Sequence, residues 1–306
     1  MNTLVTGVSG YVGSRLVPRL RRDGHTVRGL SRGRRDPGLD IPMVTGDAVT
    51  GAGLAAALDG IDVAYFLIHS MEQAQNGEPS VAAREAAAAE NFAREARAAE
   101  VGRIIYLGGL VPASIAPSAH LASRLAVEEA LLANSDCAVA FRASIVIGAG
   151  SRSFRFLVRL VERLPVLAVP GWGDNRTRPI DERDVIEVLA RAASAEGICG
   201  ESFDIGGPDV VTYAGLIDRI RHHMLVDRPT IGLGRLTLTP IASRVASLIA
   251  GEDHELIGPL MEGLGTDLLP RDDRAAEVLG VRMHSLDHAI ERALREWEAD
   301  ESLAAR

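Results

Sequence analysis

The first turn of the chain carries glycines at a spacing that could bind a pyrophosphate. Residues 6–13 read TGVSGYVG and lie between a short apolar segment and an amphipathic one. In a turn from a strand to a helix, glycines let the backbone approach a pyrophosphate, and the first N–H groups of the helix bind it. The pattern predicts a dinucleotide site, with an ordinary glycine-rich turn as the alternative. The predicted contact residues are Gly7, Ser9, Gly10, Tyr11, Val12 and Gly13.

The end of the second predicted strand bears on which dinucleotide would bind. In sites for NAD, an acidic side chain at this point hydrogen-bonds the adenine ribose. Residues 30–35 read LSRGRR and contain no acid. A guanidinium grips a 2′-phosphate through paired hydrogen bonds, and a serine hydroxyl adds another, so Ser31 and Arg32 favour NADP(H) over NAD(H). Arginines that only solvate a loop are the alternative.

An aspartate closes the third predicted strand, where the adenine edge would lie. Asp47, followed by Ala48, could accept a hydrogen bond from the exocyclic amine of adenine. An aspartate in an ordinary turn has the same sequence pattern. The sequence leaves both roles open.

Alternating strand and helix patterns position these residues and predict a parallel sheet with helices on both faces. The predicted strands are residues 3–6, 26–30, 42–45, 63–68, 103–107, 138–147 and 202–205. The predicted helices are residues 11–22, 53–58, 81–100, 120–132, 181–193 and 286–298. We expect an α/β fold, a Rossmann-type doubly wound parallel sheet with a smaller C-terminal lobe that covers a substrate. We assign residues 1–150 to the cofactor domain, and we expect residues 181–207 to return to that domain. The lobe is assigned to residues 151–180 and 208–306.

The composition of the chain argues against several classes of binding partner. The net charge is −8 and the basic residues are scattered, which argues against binding to nucleic acid. Cys137 and Cys199 form no CxxC or Cys/His cluster, so we expect neither a disulfide framework nor a metal site, and a reducing, cytoplasmic setting. No apolar run reaches the about 18 residues of a membrane span. The expected partner is an apolar small molecule, and a homo-oligomer is possible.

Several motifs make the chain resemble the atypical and extended short-chain dehydrogenase/reductases, specifically their NAD(P)H-binding, NmrA-like branch. TGVSGYVG, GDA, DVAYFLIHSM, RIIYLGGL, FRASIVIG, RPIDERDV and FDIGGPDV occur in the family's order over nearly the whole chain. The resemblance implies a dinucleotide across the strand ends and a pocket closed by the C-terminal lobe. It also implies that Leu67, Ile68 and His69 pass near the phosphates and nicotinamide ribose, and that Ser144 lies near the carboxamide.

The chain departs from that family in its catalytic residues. Conventional members carry a tyrosine, a lysine four residues later, and a serine after the fifth strand; the lysine lowers the tyrosine pKa. Here residues 120–124 read HLASR, and Gly108 and Gly109 occupy the serine region. All 33 basic residues are arginine, which excludes lysine-dependent chemistry because arginine stays protonated.

Two histidines and one arginine are the candidates to replace the missing residues. His120 titrates near neutrality and could be an acid or base, while Arg124, one turn later, could hold the ribose hydroxyls. A polar helix start and a surface charge are the alternative roles of these two residues. His69 is a second candidate because it ends a central strand at the edge where ligands bind.

Three functions are compatible with the sequence. The first is an NADPH-dependent oxidoreductase that reduces a carbonyl, enone or quinone-like small molecule. The second is a non-catalytic regulator that senses NADP(H), which the missing tyrosine–lysine pair favours. The third is a nucleotide-binding accessory subunit of a larger complex.

Overall fold

Strands and helices alternate along the first half of the chain, as the apolar pattern predicts. The computed structural model describes residues 1–33, 38–68, 80–112, 117–164, 166–169, 171–232, 264–301 and 303. The strands are β1 (Asn2–Thr6), β2 (Thr26–Ser31), β3 (Met43–Thr45), β4 (Val63–Phe66), β5 (Arg103–Gly109), β6 (Ala138–Ala143), β7 (Val146–Ile147), β8 (Leu167–Val169), β9 (Arg176–Thr177), β10 (Ile180–Asp181), β11 (Ser202–Ile205), β12 (Val211–Thr212) and β13 (Thr230–Gly232). The helices are α1 (Tyr11–Arg22), α2 (Leu54–Leu58), α3 (Val81–Ala98), α4 (Ala119–Ala133), α5 (Arg152–Arg163), α6 (Glu182–Ala192), α7 (Tyr213–His223), α8 (Arg274–Leu279) and α9 (Leu286–Asp300).

A seven-stranded sheet with the order β11-β6-β5-β4-β1-β2-β3 forms the centre of the fold. Each neighbouring pair is parallel. The chain order reverses between β1 and β4, and ligands of such sheets bind beyond the carboxyl ends of the strands at this point. The predicted Rossmann-type α/β fold is confirmed.

Apolar layers cover both faces of the sheet because successive strand residues point to opposite sides. In β4, Tyr65 faces α6 and donates a hydrogen bond to the carbonyl of Leu189. The next residue, Phe66, packs edge-on against Phe92 of α3, with ring centroids 5.0 Å apart. Burial of such a side chain stabilises the fold by about 1.5–3 kcal/mol.

A third apolar cluster lies beside the sheet and holds α5, α7 and α9 together. Its buried members include Phe154, Leu157, Leu216, Ile290 and Trp297. Ile147 of β7 also belongs to the cluster, which therefore holds α5 and α7 against the strand that follows β6. Within the described ranges, none of the helices combines the length and the hydropathy needed to cross a membrane.

The predicted strand over residues 138–147 is wrong in one respect, because it is two strands. β6 ends at Ala143, and β7 pairs with β10 outside the central sheet. The N–H of Ile180 donates to the carbonyl of Ile145, which draws the chain away from β5. β4 also ends earlier than predicted, since the N–H of Leu67 donates to the Thr6 side chain.

The two cysteines correct a second prediction. Cys137 and Cys199 form a disulfide across 62 residues, with their Cα atoms 4.7 Å apart. Cys137 directly precedes β6, and Cys199 lies in the turn before β11, which pairs with β6. The sheet therefore brings together two residues whose sequence spacing shows no pattern. The prediction that the two cysteines form no disulfide framework is wrong, and they no longer support a reducing compartment.

Replacing both cysteines by serine should lower the free energy of unfolding by about 2–4 kcal/mol, since a disulfide restricts the unfolded chain. Urea unfolding under oxidising conditions measures the difference. A reductant should destabilise the wild type by a similar amount and leave the double variant unchanged. A wild type that is insensitive to the reductant would contradict the bond.

Candidate cofactor and substrate site

The glycine turn brings backbone against backbone at the carboxyl end of the sheet. Gly7 has a φ of +62°, and a Cβ on it would lie 2.6 Å from the carbonyl oxygen of Leu67. A Cβ on Gly13 would overlap the carbonyl oxygen of Gly7. The N–H of Gly10 donates to that same oxygen at 2.8 Å. Only glycine fits at the first and last of these positions.

The first turn of α1 faces outward from this cradle. Gly10 is the N-cap, no side chain caps the helix, and the first turn carries no acidic residue. The initial N–H groups of a helix have no acceptor within it, and they favour an anion. Ser9 and Gly10 are exposed at the rim, while Val12 packs against the core. The residues present therefore fit a diphosphate.

Tyr11 points away from the helix end. A Cβ on Gly150 would lie 2.6 Å from its ring, and the guanidinium of Arg15 lies 4.4 Å from the ring centroid on another side. The tyrosine thus packs α1 against the segment that follows β7. Its predicted contact with a dinucleotide would come from the backbone rather than from the hydroxyl.

At the adenine end of the predicted site, the side chains of Ser31 and Asp47 each accept a hydrogen bond from a backbone N–H two residues later. The Ser31 hydroxyl accepts from the N–H of Gly33 at 3.0 Å, and Arg32 is exposed beside it. One carboxylate oxygen of Asp47 accepts from the N–H of Val49 at 2.8 Å, and Ala48 is buried. The turn role of Asp47 is present, and its contact with adenine stays a prediction.

A cavity of about 160 Å³ opens at the ends of β5 and β6. Its lining residues are Gly109, Leu110, His120, Leu121, Ala143, Ser144, Ile145, Ser153, Phe156, Leu157, Tyr213, Leu264 and Leu268. Leu67 and Ile68 follow β4, the strand next to β5, and both are half-buried. The predicted residues His120 and Ser144 thus meet in one cavity, whereas His69 lies outside the described residues.

His120 lies on the wall formed by α4. Burial lowers its pKa, the positive charge of Arg124 lowers it further, and the carboxylate of Glu85 opposes both. Arg124 is buried, and its guanidinium lies 3.9 Å from Glu85. At neutral pH the imidazole is therefore mainly neutral next to a permanent cation.

Two of the lining residues, Ser144 and Tyr213, are linked through the hydroxyl of Thr177. Ser144 Oγ lies 3.1 Å from Thr177 Oγ1, and the Tyr213 hydroxyl hydrogen-bonds the Thr177 side chain. Burial raises the pKa of Tyr213 to about 12, so this phenol stays protonated. Tyr65 and Tyr106, by contrast, donate to backbone carbonyls in the core.

Sequence reasoning missed Glu85, Ser123, Thr177 and Tyr213. One signal was available for Glu85. The buried face of α3 repeats through Ala88, Ala89, Phe92, Ala93 and Ala96, and the same spacing continued backwards reaches residue 85. An acid on an apolar face needs a partner, which α4 supplies.

Comparisons with known proteins bear on the family and the fold of the chain. The profile of the NAD dependent epimerase/dehydratase family matches residues 3–206. A ceramide reductase from Caulobacter vibrioides is 30% identical over 171 residues, which are 54% of this chain and 52% of that protein. The chain thus spans about half the length of this curated relative.

Two crystal structures share the fold over nearly the whole chain. That of gox2253 has a TM-score of 0.75 at 21% identity and covers 97% of this chain and 98% of its own. UDP-glucuronic acid 4-epimerase from Bacillus cereus, in complex with UDP-glucuronic acid and NAD, has a TM-score of 0.71 at 17% identity, covering 98% and 100%. At these identities the likeness shows the fold alone.

Replacing Gly7 by alanine should abolish dinucleotide binding, because the new Cβ meets the Leu67 carbonyl. Gly24→Ala is the matched control, since Gly24 has a φ of +84° and nothing within 4 Å of its Cβ position. Both variants place an alanine at a positive φ. Calorimetry should detect binding of NADPH or NADH to the control and none to Gly7→Ala; equal binding to both would refute the cradle.

Proposed function

We propose that this chain, which belongs to the NAD dependent epimerase/dehydratase family, is an NADP(H)-dependent oxidoreductase that reduces a carbonyl, enone or quinone-like group of an apolar small molecule. Family membership confirms the predicted relation to the extended short-chain dehydrogenase/reductases. The NmrA-like branch stays a prediction.

One observation carries this proposal: His120 lines a mostly apolar cavity at the carboxyl edge of the sheet, one helical turn before the buried Arg124. A bound dihydronicotinamide supplies the hydride. His120 then passes a proton to the substrate oxygen. Arg124 holds the ribose hydroxyls in the place of the usual lysine.

The phosphorylated cofactor is part of the proposal. A nicotinamide dinucleotide follows from the family, whose solved relatives include complexes with NAD. Ser31 ends β2 and Arg32 follows it, where the adenine ribose would lie. A guanidinium suits a 2′-phosphate. Arg34 and Arg35 lie outside the described residues.

The character of the cavity supports an apolar substrate. Leucine, isoleucine and phenylalanine side chains form most of its described wall, together with a few hydroxyl groups and one imidazole. Such a lining suits an apolar molecule with one reducible group. The name of the ceramide reductase points to a lipid substrate in that protein, which is compatible with this character.

The division of labour along the chain is also a proposal. Residues 1–150 and 181–207 would hold the cofactor, and residues 151–180 and 208–306 would cover the substrate. Cavity residues from α5 and α7, such as Phe156 and Tyr213, support this division.

A cofactor-sensing regulator is the second candidate. The replacement of the tyrosine–lysine pair by His120 and Arg124 favours it, since conventional proton transfer is lost. Binding of NADPH without turnover on a broad panel of carbonyls, enones and quinones would support the regulator.

Replacing His120 by glutamine should lower kcat for NADPH-dependent reduction by about 100-fold or more, which is the usual contribution of a general acid. Cofactor affinity should stay unchanged. Because reduction needs the protonated ring and its pKa is lowered, wild-type kcat/KM should rise as the pH falls below neutrality. His222→Gln, an exposed histidine on α7, is the control. Full activity in His120→Gln, with loss in His69→Gln instead, would contradict the assignment.

Replacing Arg32 by alanine should weaken NADPH binding by about 1.5–3 kcal/mol, the value of a hydrogen bond to a charged group. NADH binding should not change, because NADH has no 2′-phosphate. Arg22→Ala is the control for the loss of one positive charge, because Arg22 is exposed and lies in the last turn of α1. Calorimetry that finds NADPH and NADH equally weakened would refute the phosphate contact.

A further inference from the structure

Glu85 is a buried carboxylate that the proposed reaction does not use. Its side chain is 5% exposed, and it lies on the face of α3 that packs against α4. Ser123 donates its hydroxyl to Glu85 at 2.5 Å, and the Arg124 guanidinium lies 3.9 Å away. Two consecutive residues of the candidate catalytic helix thus contact one acid.

Helix packing alone does not explain an acid at this position. The residues that continue the same face of α3 are alanines and one phenylalanine, which pack without any polar partner. A charged carboxylate is buried at a large cost unless an opposite charge and hydrogen bonds compensate it. Arg124 supplies the charge and Ser123 the hydrogen bond.

The buried guanidinium of Arg124 on α4 in turn requires an anion beside it. An arginine cannot become neutral by losing its proton, so a buried guanidinium must be paired with an anion. Arg124 is 8% exposed, and the backbone carbonyl of the same residue accepts from Tyr106. The arginine that replaces the family's lysine is therefore paired with its own acid.

This pair acts on His120, one turn earlier on α4. From α4, Arg124 lowers the pKa of His120, and from α3, Glu85 raises it. From α7, Tyr213 shares the cavity and stays protonated. Loss of the Glu85 charge would leave burial and an uncompensated cation acting on the imidazole.

We propose that Glu85, oriented by the hydroxyl of Ser123, is a positioning residue, which fixes the Arg124 guanidinium and keeps His120 able to carry a proton. Its catalytic part rests on the proposed function. Its electrostatic part concerns only the folded chain. The two parts are measured separately below.

The first measurement is an NMR titration of the full chain with ¹³C-labelled histidine, in which His120→Gln assigns the resonance. Glu85→Gln should lower the pKa of His120. Glu85→Asp keeps the negative charge, so the pKa of His120 should stay close to that of the wild type. Glu128→Gln is the matched control. Like Glu85, Glu128 is buried and paired with an arginine, but it lies on α4 and its partner is Arg142, at 2.6 Å. The control should leave the pKa of His120 in place.

The second measurement is the pH dependence of NADPH-dependent reduction. In Glu85→Gln, the fall of kcat/KM with rising pH should begin at lower pH, and kcat near neutrality should drop about tenfold, a part of what a general acid contributes. Glu128→Gln should keep the wild-type profile. Thermal unfolding identifies variants that fail to fold; if Glu85→Gln fails, Glu85→Asp and Ser123→Ala, with smaller shifts in the same direction, decide the outcome.

An unchanged pKa of His120 in folded Glu85→Gln, or an equal shift in Glu128→Gln, would overturn the proposal. A wild type that reduces nothing, with a pKa of His120 that still responds to Glu85, would refute the proposed function and leave the electrostatic pairing intact. A responsive pKa with an unchanged pH–rate profile in an active enzyme would overturn the positioning role.

Discussion

The close approach of the 6–13 turn to the end of β4 is the constraint on which the rest of the site depends. Gly7 lies in the left-handed region directly against the Leu67 carbonyl, and Gly13 lies against Gly7. This contact sets where α1 begins, and so where its unpaired N–H groups point. Because β1 and β4 flank the reversal of strand order, the same contact aims the helix at the ligand edge of the sheet.

The chemistry beyond that edge is governed by the electrostatics of a chain without lysine. Where a lysine could tune its charge by losing a proton, Arg124 is a permanent cation. A buried acid, Glu85, lies beside it, and the imidazole of His120 experiences both charges. The tyrosine that lines the cavity comes from α7 rather than from α4, and its hydroxyl hydrogen-bonds the side chain of Thr177.

The sequence predicted the features that depend on local pattern. The bounds of α1 and β11 agree with the apolar period and with the glycine boundaries beside them. Features that depend on distant residues were missed or mistaken. The Cys137–Cys199 bond needs the pairing of β6 with β11, and the break after Ala143 needs the competing strand β10. Thr177 and Tyr213 become site residues only when the later helices pack beside the sheet, which no short-range pattern encodes.

A crystal structure of the full chain grown with NADPH tests the central claim most directly. In that crystal we expect the diphosphate on the N–H groups at the start of α1 and the 2′-phosphate beside Arg32. We also expect the nicotinamide C4 face to open into the cavity that His120 lines. A dinucleotide bound elsewhere, or a nicotinamide ring separated from His120 by the body of the protein, would contradict it.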